Sequence, residues 1–185
     1  MSEGWATQDG FRVRFEWGPA GVSRLAPGVA VLVVVDVLRF TTAVDVAVSR
    51  GAEVFPYRWR DASASDFARS VDAELADESR LGGPSLSPAR LASLRSGDRV
   101  VLPSPNGSTC AAIASEAGAT VVAGCLRNAS AVAAWLKSSS GPIAVIACGE
   151  LWPDGSLRPC VEDLLGAGAT SHAWPGRGRR RRRWR

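Results

Sequence analysis

The chain has 185 residues, the length of one ordinary domain or of two small halves sharing an interface, so a complete, separately folded second domain is not expected. With 46% hydrophobic and 22% charged residues, its composition is that of a globular protein and not of a disordered one. The net charge of +4 does not describe a basic body: seven arginines lie between Arg177 and Arg185, and taking seven from +4 leaves −3 for the rest.

The first readable element is the valine-rich run from Gly28 to Val35, bounded by Pro27 and Asp36, which predicts a strand buried on both faces. A helix follows over 41–49, with Val44, Val46, Ala47 and Val48 as its apolar side and Gly51 as its stop. Next come a short strand at 53–57 and a helix at 62–75, then a loop from Gly82 to Pro88 rich in Gly, Pro and Ser. The pattern repeats as a strand at 99–102, the turn Pro103-Ser104-Pro105-Asn106-Gly107 and a helix at 108–117. It continues with a strand at 120–123, a turn at 124–128, a helix at 129–136 and a strand at 143–148. A long polar loop leads to Pro159, and a helix at 161–167 closes the readable part.

Strands alternating with helices predict an α/β fold with a largely parallel or mixed sheet flanked by helices, because parallel strands require crossover connections. In such sheets ligands bind beyond the carboxyl ends of the strands. The polar residues in the turns after the strands are therefore the candidates. Asp36 follows five apolar residues, and burying it without a partner would cost several kcal/mol, on the order of that for an unpaired charge. Two readings balance at this position, a metal-binding carboxylate and a cap on the following helix. Arg39 has the planar fork that takes two phosphate oxygens, although taken singly it reads as a surface arginine paired with a carboxylate. Asn106 and Ser108 open a helix whose first N–H groups can receive an anion, or are ordinary turn punctuation. Arg127 and Asn128 repeat that pattern one turn later, in a neighbouring strand if the order is sequential. Glu150, Glu162 and Asp163 add carboxylates, a cluster that suits Mg2+; Glu162 and Asp163 also suit the first turn of a helix.

Four cysteines without a CxxC pair, no secretory signal and no apolar run near 20 residues predict reduced thiols in a soluble cytoplasmic protein, with no membrane partner. Several phosphatase chemistries are excluded directly. No cysteine has an arginine six residues on, Leu38 stands where an Asp-x-Asp motif needs its second aspartate, and no Gly-Lys-Ser/Thr loop exists. The only histidine is His172. Nucleic acid is expected to bind only non-specifically, through the arginine tail.

Five stretches taken together resemble the ComB-type 2-phosphosulfolactate phosphatases, across residues 11–169: Val35-Asp36-Val37-Leu38-Arg39-Phe40-Thr41-Thr42, Pro105-Asn106-Gly107-Ser108-Thr109, Gly124-Cys125-Leu126-Arg127-Asn128-Ala129, Ala147-Cys148-Gly149-Glu150, and Leu157 through Ala169. The resemblance implies two similar halves, the second incomplete here, and Mg2+-dependent hydrolysis of 2-phospho-3-sulfolactate, or a related phosphorylated hydroxy acid, on a route to coenzyme M. By motif it places Asp36 and Glu150 in catalysis and Asp36, Glu162 and Asp163 on the metal. It places Arg39, Asn106, Ser108, Arg127, Asn128 and Arg158 on the anionic substrate. The chain departs from the family at Asp77-Glu78-Ser79 and Ser85-Leu86-Ser87-Pro88, where specificity is expected to change, and in an ending that resembles a truncated or frame-shifted terminus. The expected layout is a phosphatase domain at 1–170 and a disordered arginine-rich tail at 171–185. The alternatives are a non-catalytic descendant that binds a phosphorylated metabolite and a nucleic-acid binder working through the tail; oligomerisation is open.

Overall fold

The structure is a computed structural model that describes residues 4–80 and 82–172. In chain order its helices are α1 (Gly4–Thr7), α2 (Gly18–Leu25), α3 (Phe40–Ser49), α4 (Ser63–Ser70), α5 (Pro88–Leu91), α6 (Gly107–Glu116), α7 (Ala129–Leu136) and α8 (Val161–His172). Its strands are β1 (Val13–Trp17), β2 (Val31–Val35), β3 (Glu53–Tyr57), β4 (Glu74–Leu75), β5 (Arg99–Pro103), β6 (Thr120–Gly124), β7 (Ile143–Ala147), β8 (Glu150–Leu151) and β9 (Leu157–Arg158). Strands and helices alternate as the sequence predicts, and the fold is α/β with parallel sheets flanked by helices.

The strands form two parallel sheets and a small hairpin. One sheet has the order β1-β7-β2-β6, the other β3-β5-β4, and β8 pairs antiparallel with β9. The order is not sequential, so the turns after β5 and β6 do not belong to neighbouring strands. Two parallel crossovers leave the first sheet after β2 to build the second, and the chain returns at β6.

The valine run is buried on both faces because it is central. Leu32 and Val34 of β2, with Ala144 and Ile146 of β7, face a core layer shared with Val22, Leu25, Cys110 and Ala114 of α2 and α6. Val31, Val33 and Val35, with Ile143, Val145 and Ala147, face the opposite layer, shared with Val132, Leu136 and Ala167 of α7 and α8. The period of two in side-chain direction thus feeds two separate cores from one continuous apolar run. A third core joins Phe40, Ala43, Val46 and Ala47 of α3 to Leu91 of α5 and to Val100 and Leu102 of β5. Pro56, which lacks an N–H, sits in β3 at the edge of its sheet, where a missing donor is tolerated. An apolar cleft of about 460 Å³ lies between the sheets, lined by Val34, Phe40, Val44, Pro56, Ala111 and Val121 among others; none of the candidate site residues lines it.

Four boundaries differ from the sequence reading. Strand β1 and helix α2 precede the valine run where no element was expected. The helix expected over 62–75 stops at Ser70; Asp72 takes a positive φ of 49°, which breaks the helix, and Glu74 and Leu75 then pair with β5. The polar loop before Pro159 contains the β8-β9 hairpin. Helix α8 runs to His172, two residues into the segment expected to be tail, and the rest of that segment lies outside the described residues. Among the described residues no helix is long and apolar enough to cross a membrane.

Candidate active site

The site is built at the carboxyl ends of the two central strands, β2 and β7. Asp36 is the first residue past β2 and is only 7% exposed. Its Oδ1 accepts the N–H of Phe40 at 3.2 Å, and its Oδ2 accepts the N–H of Gly107 at 3.0 Å and the hydroxyl of Ser104 at 3.4 Å. Of the two readings that the sequence left balanced, the structure bears on the cap: one oxygen receives the N–H of Phe40 at the start of α3, while the other reaches the turn after β5 in the second sheet. The backbone of Asp36 is fixed as well. Its N–H donates to Thr41 Oγ1 at 3.1 Å, and its carbonyl accepts the Thr41 hydroxyl and N–H, each at 2.8 Å. The Leu38–Arg39 peptide within this turn is cis.

Gly107 can approach Asp36 only because it lacks a side chain. A Cβ there would lie 2.2 Å from Phe40 Cδ1 and 2.7 Å from Asp36 Oδ2. The helix start at Asn106 and Gly107 thus receives an anion, as its N–H groups are suited to do, and that anion is the protein's own carboxylate.

Asp163, in the first turn of α8, is the second buried carboxylate. Its Oδ1 accepts the N–H of Val37 and its Oδ2 that of Gly149, both at 2.8 Å. One side chain therefore joins the turn after β2 to the turn after β7. Glu150 begins β8, and its Oε2 accepts the Asn106 amide at 2.8 Å, which joins β7's turn to the one after β5. Three turns from two sheets are cross-linked by three acidic side chains.

Gathering these charges has an electrostatic cost. Burial pushes the Asp36 carboxyl above its ordinary range, and the Glu150 charge adds to that, while the N–H groups of Phe40 and Gly107 and the Ser104 hydroxyl pull it back. Burial pushes Asp163 up to about 6; the N–H groups of Val37 and Gly149 oppose the rise, and the charges of Asp36 and Glu162 reinforce it. Cys148, at the end of β7, is held protonated, chiefly by burial, with its neighbour Cys110 and the two aspartates adding to the effect.

The matches to known proteins agree with this architecture. The model of the 2-phosphosulpholactate phosphatase family matches residues 22–177. The chain belongs to that family. No curated protein matches the chain. The family's name indicates a phosphatase, and the matched stretch contains every one of the candidate residues.

For a member of the 2-phosphosulpholactate phosphatase family, the cationic candidates are more dispersed than the acidic ones. Arg39 pairs with Glu78 at 3.3 Å. Arg127 Nε donates to Asp45 Oδ2 of α3 at 2.9 Å. Asn128 closes its own turn: its Oδ1 accepts the Cys125 N–H at 2.8 Å and its Nδ2 donates to the Ala123 carbonyl at 3.0 Å. Ser108 is buried and donates to the Leu102 carbonyl at 3.1 Å. Arg158 lies in β9, directly across from Glu150 in the hairpin, with its guanidinium 5.7 Å from the centre of the Trp152 ring. The structure thus brings together Asp36, Asn106, Glu150 and Asp163, with Glu162 beside Asp163. Among the described residues, five of the six substrate candidates, all but Arg158, form a side-chain hydrogen bond or ion pair with the protein's own groups.

Ser104 and Thr41 were not expected as site residues, yet both bind Asp36 directly. A signal existed for Ser104. A small hydroxyl between Pro103 and Pro105 at a strand end marks a rigid turn with one polar side chain to place.

Proposed function

We propose that this protein is a Mg2+-dependent phosphatase that hydrolyses 2-phosphosulfolactate, or a related phosphorylated hydroxy acid, to the free hydroxy acid and phosphate. The observation that carries the reading is the buried Asp36 carboxylate, held by donors from both sheets and faced by Glu150, in a chain that belongs to a phosphatase family.

The donor set suits the metal. Carboxylate oxygens are the ligands a hard cation prefers, and Cys148 is held as a neutral thiol. Among the described residues no three His, Cys, Asp or Glu side chains converge on one point. A cation held by one or two of these carboxylates would keep several waters, which is the habit of Mg2+. Asp36 is the first candidate ligand, with Glu162 and Asp163 beside it; each Asp163 oxygen already accepts one N–H and has one lone-pair direction left. When bound, Mg2+ would neutralise charge on the phosphoryl oxygens.

The protein's own residues supply the rest. The N–H groups of Phe40 and Gly107 and the Ser104 hydroxyl fix the Asp36 rotamer, so no reorganisation of that carboxylate is needed during transfer. Asn106 holds Glu150 by Oε2, and Oε1 is the atom we assign to proton transfer. Arg158, carried on the hairpin with Glu150, is the cation we assign to the substrate's second anionic group. Arg39, Arg127, Asn128 and Ser108 support the reading as anion contacts only if they exchange their present partners. Phosphate release from a panel of phosphorylated hydroxy acids in the presence of Mg2+ tests the assignment. Wild type should release phosphate, and Asp36→Asn should be slower by about 100-fold or more while staying folded by circular dichroism. Folded wild-type protein that releases phosphate from none of the panel overturns the reading.

A further inference from the structure

The hairpin that carries Glu150 and Arg158 is short, and one end of it is tied by the Asn106 amide on Glu150. Its two strands have two residues each, and an isolated hairpin of that size is marginal in water. Leu151 and Trp152 are 54% and 51% exposed, and Pro153 through Ser156 are exposed as well. Leu157 is the one apolar side chain of the segment 150–158 that turns inward, and its surroundings are specific. It lies against two glycines from different strand ends: Gly18, just past β1, and Gly149, just past β7. A Cβ on either would stand 3.0 Å from Leu157 Cδ1. Both glycines take positive φ, 57° and 65°. The slot therefore exists because neither wall has a side chain and both walls adopt backbone that glycine favours.

Cross-strand register converts this seat into a constraint on the site. Leu157 pairs with Leu151, and the next pair is Glu150 with Arg158. Successive residues on a strand point to opposite faces, so seating Leu157 in the slot sets the face on which Glu150 and Arg158 are presented. Gly149 is also the residue whose N–H Asp163 holds at 2.8 Å, and a Cβ there would meet the Arg158 carbonyl at 2.8 Å. The hairpin is pinned at its base by Asp163 and along its length by Leu157.

We propose that Leu157 is a positioning residue, a peg between Gly18 and Gly149 that fixes the hairpin bearing Glu150 and Arg158. Its catalytic consequence rests on the phosphatase reading given above; its structural consequence does not.

Two readouts separate these parts. Hydrogen exchange follows the hairpin amides of Trp152 and Gly155, which bond the Ser156 and Trp152 carbonyls. Phosphate release with Mg2+ gives KM and kcat. In Leu157→Ala those amides should exchange about ten-fold faster while amides of β2 and β7 keep their protection. KM for the phosphorylated hydroxy acid should rise about ten-fold, more than kcat falls, and Leu157→Met, which conserves volume, should restore both. Gly18→Ala, which narrows the slot from outside the hairpin, should reproduce the faster exchange. Unchanged hairpin exchange in Leu157→Ala overturns the proposal, and so does faster exchange with KM and kcat both as in wild type. Wild-type protein that releases no phosphate sinks the phosphatase reading alone, because the exchange measurement still decides whether the peg exists.

Discussion

Asp163 shows how far a single residue can be read in advance. Its place in the first turn of a helix made it favourable there in any case, and the family's motif offered it as a metal ligand. The sequence could not show that its two oxygens would be divided between the N–H groups of Val37, 126 positions away, and Gly149, because which loops a helix start faces depends on strand order. Asp163→Asn tests the tie. Its amide nitrogen would oppose one of the two N–H donors and leave a buried group unpaired, so chemical denaturation should show a loss of about 1–3 kcal/mol. Two glycines give a matched contrast. Gly107→Ala pushes a methyl into Phe40 and Asp36, and should lower stability by about 1–3 kcal/mol and remove phosphate release. Gly168→Ala, within α8 where a Cβ would meet nothing within 4 Å, should raise stability by about 0.5–1 kcal/mol and leave release unchanged. Thermal melts and activity on the same samples check the pair.

Among the elements, legibility followed burial. β2 and β7 were plain because both faces are covered, so every position is apolar and the run cannot be mistaken for a loop. α7 was read to the residue for a related reason, its apolar side being bounded by Asn128 and Lys137. β1 was missed although Val13, Phe15 and Trp17 alternate with Arg14 and Glu16. The buried position is the charged one: Arg14 is 5% exposed, with its guanidinium on Asp9 at 3.1 Å and on the Thr7 carbonyl at 3.0 Å. α2 was missed because Gly18-Pro19-Ala20-Gly21 reads as a turn. Gly21 is needed there for close approach, since a Cβ would lie 2.5 Å from that of Glu16. The β8-β9 hairpin left no periodic trace because two-residue strands are too short to show alternation. At this scale Arg14→Ala should loosen β1 and α1 together, seen as faster exchange of the β1 amides with those of β2 unaffected.

For the whole molecule, pH is the sharpest probe. Asp163 has a folded-state affinity for protons above its ordinary value, about 6 against 3.8, and Asp36 is shifted in the same direction. The folded state therefore binds more protons than the unfolded one between these values, so stability falls as pH rises through this window and is lowest above about 6. Without divalent ions the melting temperature should be higher at pH 5 than at pH 7.5, and Mg2+ should narrow the gap by raising the value at pH 7.5, as calorimetry can measure. A gap that Mg2+ leaves untouched counts against a cation site among these carboxylates. The alternation of strands and helices predicted the layers but not the division into two sheets, because periodicity reports which face of a strand is buried and says nothing about its neighbours. That division matters most at the contact between Asp36, beyond a strand of one sheet, and Gly107, beyond a strand of the other. Asp36 has its full set of donors only when the sheets meet, since Phe40 follows a strand of one sheet while Ser104 and Gly107 follow a strand of the other. A ligand bound at that carboxylate would act as a rivet across a joint, because easing the sheets apart would take the Gly107 N–H away from Asp36.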